Sequence, residues 1–131
     1  MSSPEAWLKE RIETATGATA WPVTVSESTP RPFVVYSRDS TDRPLQTSGL
    51  TGFAEGAFTL EACGDSWTTA RATADAIVFS VQNFTGTGSG AIIDHVHVSS
   101  DRDGTAVYLT DGQDLPSYFV IELQIFIRWR E

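Results

Sequence analysis

The sequence predicts an α+β fold: two helices packed on one face of a mainly antiparallel (mixed) sheet, in the order α-β-β-β-α-β-β-β. Three observations predict it. Leu8, Ile12 and Ala15 recur at helical spacing. So do Trp67, Ala70, Ala74, Ile77, Val81 and Phe84. The closing run Phe119 to Trp129 alternates strictly between two faces. With 131 residues, 40% of them hydrophobic, the chain can bury one ordinary core, and residues 1–131 are read as one domain.

The first helix is predicted over residues 4 to 15. Ser3 offers a capping hydroxyl, Pro4 fits the first helical position, Glu5 lies at the positive end of the dipole and Gly17 ends the helix. Val23 and Val25 alternate with polar neighbours in a short strand. Pro30 and Pro32 separate it from a second strand, Phe33 to about Arg38, and place both near a sheet edge. From Asp39 to Gly52 neither period holds, and such a length of irregular chain is read either as a loose insertion or as a segment that orders in an assembly.

Phe58, Leu60 and Ala62 mark a third strand that stops at Gly64 and Asp65, after which Asp65 or Ser66 caps the second helix. Four alanines, 70, 72, 74 and 76, let that helix lie close to a sheet. Gly86 to Gly90 reads as a linker. Ile92 to Val98 and Thr105 to Leu109 read as a hairpin around Asp103-Gly104. In the last strand Phe119, Ile121, Leu123, Ile125, Ile127 and Trp129 share one face; Tyr118, Val120, Glu122, Gln124, Phe126 and Arg128 share the other. Full burial of the apolar face is worth about 10 kcal/mol gross before chain entropy is subtracted.

Composition excludes several classes. The net charge is -8, with Lys9 the only lysine, so a phosphate backbone is repelled and direct nucleic-acid binding is not expected. Cys63 is the only cysteine, which removes intramolecular disulfides and cysteine-rich zinc modules. The first residues have no basic-then-apolar signal pattern, and Tyr118 to Ile127 is too short and too interrupted to span a bilayer; the expectation is a soluble intracellular protein with no membrane partner.

Chemistry is sparse. His95 and His97 point the same way from a strand, as two metal ligands do, but no third ligand is recognisable and a solvent or interface face explains them. Asp101-Arg102-Asp103-Gly104 starts like a calcium loop and lacks its later ligands, so it reads as a turn. The glycines from 86 follow a helix, the wrong order for a phosphate cradle. No Gly-x-Ser-x-Gly elbow is present. Cys63, just before a capped helix, is either a packed thiol or a mildly activated one. Trp7, Trp67 and Trp129 are placed in the core by periodicity, and Trp21 is either a core-edge residue or an interface anchor. No catalytic, metal or cofactor-binding residue is assigned and no cofactor is expected.

Taken in order, these elements resemble the bacteriophage tail terminator (tail completion, head-tail joining) proteins of long-tailed phages. The resemblance runs nearly end to end: a short first helix, "WPVTV", the proline-led "RPFVVYSRDSTD" strand entering a long segment, "GAFTLEACGDSWTTARATADAI" as strand then helix, and the closing "YFVIELQIFIRW". It implies a non-enzymatic virion protein at the head-proximal end of the tail, assembled in the host cytoplasm. Its copies would form a homo-oligomeric ring, six-membered in the family, that caps the tail tube, stops its growth and meets the head-tail connector protein. DNA would pass the lumen without specific binding. On this reading Arg38, Asp39, Asp42, Arg43, Leu45 and Leu50 are the candidate subunit contacts, since opposite charges at the base of a segment set register. The alternatives are another head-tail connector ring protein, or a small metal-dependent enzyme or ligand-binding domain using His95, His97 and Cys63.

Overall fold

The computed structural model describes residues 3–23, 29–46, 49–50, 52–104, 106–108, 112 and 115–131. Helix α1 spans Pro4–Thr16, with Pro4 in its first turn and Gly17 closing it at φ 72°, a left-handed conformation that glycine adopts without a Cβ penalty. Ser3 occupies the N-cap position, but its side chain makes no capping hydrogen bond. Helix α2 spans Trp67–Val81, and here the cap is made: Ser66 Oγ accepts the Thr69 N–H.

The strands are β1 (Thr19–Pro22), β2 (Phe33–Asp42), β3 (Leu45–Gln46), β4 (Gly49–Leu50), β5 (Phe53–Gly64), β6 (Gly86–Gly88), β7 (Ala91–Asp103) and β8 (Phe119–Arg130). Six of them form one mixed sheet in the order β1-β2-β5-β8-β7-β6, and among the described residues β3 and β4 pair with each other alone. The β1–β2 pair is parallel and the remaining pairs are antiparallel. Helices and large-sheet strands follow one another as α-β-β-β-α-β-β-β, the predicted order and class.

The core lies between the sheet and the helices. Ile121, Leu123, Ile125, Ile127 and Trp129 of β8 are all buried, as are Leu60, Phe58 and Ala54 beside them on β5. Against them stand Trp7, Leu8 and Ile12 of α1 and Ala70, Ala74, Ile77 and Val81 of α2. Arg11 joins the helices: its guanidinium donates to the Ser80 carbonyl at 3.3 Å and lies 4.5 Å above the Phe84 ring.

Five expectations are corrected. The first strand lies at Thr19–Pro22, not at Val23 and Val25: Ala20 is the buried residue, Val23 is 75% exposed, and Val25 falls outside the described residues. The run from Asp39 is not irregular. Strand β2 continues to Asp42 through a bulge between Arg38 and Ser40, which hides the period of two in the sequence. The turn then carries its own short β3–β4 pair. Of the strand expected over Thr105 to Leu109, residues 106–108 are described and make a single bridge, Val107 to Tyr118, while Thr105 and Leu109 lie outside the described residues. The fourth strand of the predicted order is instead the glycine-rich β6, expected as a linker. Finally, Trp67 begins α2 on its exposed side, 47% accessible, donating its indole N–H to Asp103 Oδ1 at 3.0 Å.

Candidate functional site

The two faces of the sheet differ. One is filled by the helices; the other carries polar rows that cross several strands. Thr59 Oγ1 donates to Asp39 Oδ2 at 2.5 Å, Gln124 Nε2 donates to Thr59 Oγ1 at 2.8 Å, and Ser99 Oγ donates to the Gln124 carbonyl at 3.1 Å. This row ties β2, β5, β8 and β7 together in one line of hydrogen bonds. In the next row Glu61 and Glu122 are direct cross-strand partners, and Arg102 donates to Glu122 Oε1 at 2.7 Å. Partial burial, and then the like charge of Glu122, raise the Glu61 carboxyl above its ordinary pKa.

Toward the C-terminal end of β8 the same face becomes mixed. Phe126 is 48% exposed beside His97, and Arg128 reaches Asp94 at 3.4 Å and Glu55 at 3.7 Å. Phe53 lies under two guanidinium groups, 4.5 Å from that of Arg128 and 4.8 Å from that of Arg130. Glu55, Asp94, His95, His97, Phe126 and Arg128 border a shallow depression of about 310 Å³. Both histidines are exposed here. Among the described residues no three His, Cys, Asp or Glu side chains are grouped to hold a metal ion.

At the other end of this face Cys63 packs with Phe33 and Val120, bordered by Val107 and Tyr118. Burial, and then the Glu61 charge, push its thiol up to about 12, so the thiolate required of a nucleophile is not populated at neutral pH. The activating effect expected of a following helix does not overcome desolvation.

Among the residues expected at a subunit contact, Arg38 and Asp39 turn to opposite faces of the sheet. Arg38 turns beneath the sheet, pairs with Glu5 of α1, donates to Thr41 Oγ1 at 3.1 Å and lies 4.9 Å above the Trp129 ring. Asp39 takes the Thr59 hydrogen bond on the opposite face. Arg43 grips the Glu131 carboxylate through two hydrogen bonds, 2.6 and 3.0 Å, and Asp42 is exposed opposite Glu55. Leu45 and Leu50 are register partners in the β3–β4 pair; their side chains lie outside the described residues. Strands β3 and β4 therefore lie on the connection between the ends of β2 and β5, and Arg43 meets Glu131 where the chain leaves β2. Arg102, Phe126 and Arg128 were not singled out from the sequence, although the alternation of β8 already put Phe126 and Arg128 on its non-core face.

No family model matches this sequence, and no curated protein matches it. Among solved structures, the fold is similar to that of a chain in the virion of a native gene transfer agent (GTA) particle, with a TM-score of 0.62 and 13% sequence identity. The superposition covers 95% of this chain and 92% of that one. At this identity the likeness is one of fold, and it extends over nearly the whole of both chains.

Proposed function

We propose that this chain is a structural protein of a phage-like particle, and within it the tail terminator: a single-domain, non-enzymatic subunit of a ring that closes the head-proximal end of a tail tube and offers a surface to the head connector. The observation that carries this reading is the end-to-end fold likeness to a chain of a GTA virion. Three features of the residues support it. The connection between β2 and β5 carries its own β3–β4 pair with Leu45 and Leu50 in register, apolar residues at one end of the sheet where a neighbouring subunit or the tube could meet it. The face with Phe126 and Arg128 offers apolar and charged contact area. The net charge of -8 disfavours adhesion of DNA moving through a lumen.

Native mass spectrometry over a concentration range, with negative-stain images of the same sample, tests the proposal. Six-subunit rings with a central hole are expected, and adding them to growing tail tubes should arrest elongation. A protein that forms no ring, alone or on tube ends, overturns the terminator role. A ring that binds portal-side partners and leaves tube growth unaffected indicates a different connector.

A further inference from the structure

On one side the six-stranded sheet ends in the three-residue β6, which pairs with Ala91 to Ile93 of the thirteen-residue β7. An outer edge left beyond such a short cover carries N–H and C=O groups that any further strand can pair with. Along β7 that edge is met instead by α2 and the turn that follows it. The chain leaves α2 at Gln82, and Asn83 stands at φ 61°, a left-handed conformation that asparagine tolerates better than most residues. The turn brings Asn83 N–H to the Val96 carbonyl at 3.0 Å, and Gln82 Oε1 accepts the Val98 N–H at 2.7 Å. Two backbone groups of β7 are thus satisfied without a strand.

Further along, side chains of α2 take over. Asp101 and Asp103 are level with Leu123 and Ile121, whose side chains are buried beneath the helices, so both aspartates lie on the helix side of the sheet. Arg71 pairs with Asp101 at 3.0 Å, and the Trp67 indole N–H donates to Asp103 Oδ1 at 3.0 Å. Residues 83, 82, 71 and 67 therefore meet 96, 98, 101 and 103 in turn, and α2 runs antiparallel to β7 beside its edge. None of these contacts is needed to seat the helix, which Ala70, Ala74, Ile77 and Val81 already fix in the core. Trp67 remains 47% exposed, and Asp101, Arg102 and Asp103 are exposed as well. Charged residues and a covering element are the two means by which an edge is kept from pairing with a stray strand, and both are present here.

We propose that Trp67, Arg71, Gln82 and the Asn83 amide form an autoinhibitory contact that guards the outer edge of β7 against strand addition by a second copy of the chain. Gln82 and Asn83 occupy the hydrogen-bonding positions at Val96 and Val98, and Arg71 and Trp67 hold the first turns of α2 over residues 101–103, where an added strand would otherwise lie. The inference does not rest on the ring reading: a ring is closed and of fixed size, whereas copies joined through an unguarded edge grow into open chains.

Unlocking the guard tests it. Gln82→Met keeps an unbranched side chain and helix propensity but removes the carbonyl that takes the Val98 N–H, whereas Gln82→Glu keeps an acceptor oxygen there. Trp67→Phe and Arg71→Met remove the groups that reach Asp103 and Asp101. The protein with Trp67→Phe, Arg71→Met and Gln82→Met should stay folded in dilute solution by circular dichroism and thermal melts. By light scattering it should form open-ended oligomers at a concentration at least about tenfold below that of the parent. Hydrogen exchange of these oligomers should show the amides of residues 98–103 newly protected, and the same protein with Gln82→Glu in place of Gln82→Met should associate less. A folded triple variant that associates no more readily than the parent overturns the proposal. So do oligomers whose 98–103 amides exchange as in the monomer, and so does identical behaviour of the Gln82→Met and Gln82→Glu forms. Should the triple change prevent folding, the single variants Gln82→Met and Gln82→Glu are compared in the same assays, with the same outcomes deciding.

Discussion

Gly88 of β6 lies against the indole of Trp7, so close that a Cβ at this position would stand 2.5 Å from Trp7 Cδ1. The contact fixes how α1 meets the end of the sheet, because Trp7 is 2% exposed and also packs on Phe84 with ring centroids 5.0 Å apart. Gly88→Ala should destabilise the fold by about 1–3 kcal/mol through overpacking. Combining it with Trp7→Phe should cost less than the sum of the two single changes, a coupling that urea denaturation of the four proteins in the cycle measures. Strict additivity would show that the indole is free to move aside.

Neighbouring residues of β8 should respond very differently to truncation. Ile125 is fully buried and Phe126 is 48% exposed on the other face. Ile125→Ala is expected to cost about 2–5 kcal/mol from lost transfer free energy and the cavity left behind. Phe126→Ala should change stability by less than about 1 kcal/mol. Equal losses in denaturant melts would mean that the open face is covered in the protomer.

The Glu61 carboxyl, with its pKa raised by partial burial and by Glu122, favours the protonated form in the folded state. Ionisation therefore works against folding, and this contribution to stability falls as pH rises through the carboxylate range. Glu61→Gln should raise Tm at pH 7 by about one or two degrees, a modest figure because the side chain is partly solvated. The gain should vanish below the usual carboxylate pKa. A gain that persists at low pH would point to packing instead of charge.

Cys63, with its thiol at about 12, should resist alkylation by iodoacetamide in the native protein at pH 8 and react fully once the chain is unfolded. Rapid native labelling would show that the segment around Val107 and Tyr118 opens readily.

Arg43 and Glu131 meet where the chain leaves β2, and Glu131 N–H also donates to the Gly52 carbonyl at 2.9 Å just before β5 begins. Each partner shifts the other toward its charged form, Arg43 upward and Glu131 downward, chiefly through their hydrogen bonds. Arg43→Ala should leave Tm nearly unchanged, as an exposed pair contributes little to global stability. Hydrogen exchange at the Glu131 amide should nevertheless quicken, and unchanged exchange would separate the ion pair from the order of this junction.

Periodicity determined what this sequence could determine alone. Both helices, the core face of β8 and the α+β order were legible, because burial on one face imposes a repeat on consecutive residues: Leu8 and Ile12, Ala70 to Val81, Ile121 to Trp129. The single cysteine likewise ruled out a disulfide within these 131 residues before any geometry. What escaped the pattern was whatever depends on residues distant in the chain. The bulge at Asp39 shifts the register of β2, so its continuation to Asp42 appears only beside β5. Gly86 to Gly88 becomes a strand because β7 is there to pair with and Trp7 leaves room for nothing larger than glycine at 88. Trp67 fits a helical stripe yet stands outside, since the first turn of α2 overhangs the sheet edge near Asp103. The fate of Arg38 and Arg43 was decided in the same way: each finds a carboxylate, Glu5 or Glu131, that is remote in sequence and adjacent only in the fold. A local pattern records which face of an element is buried; which partners cover that face is settled when the elements meet.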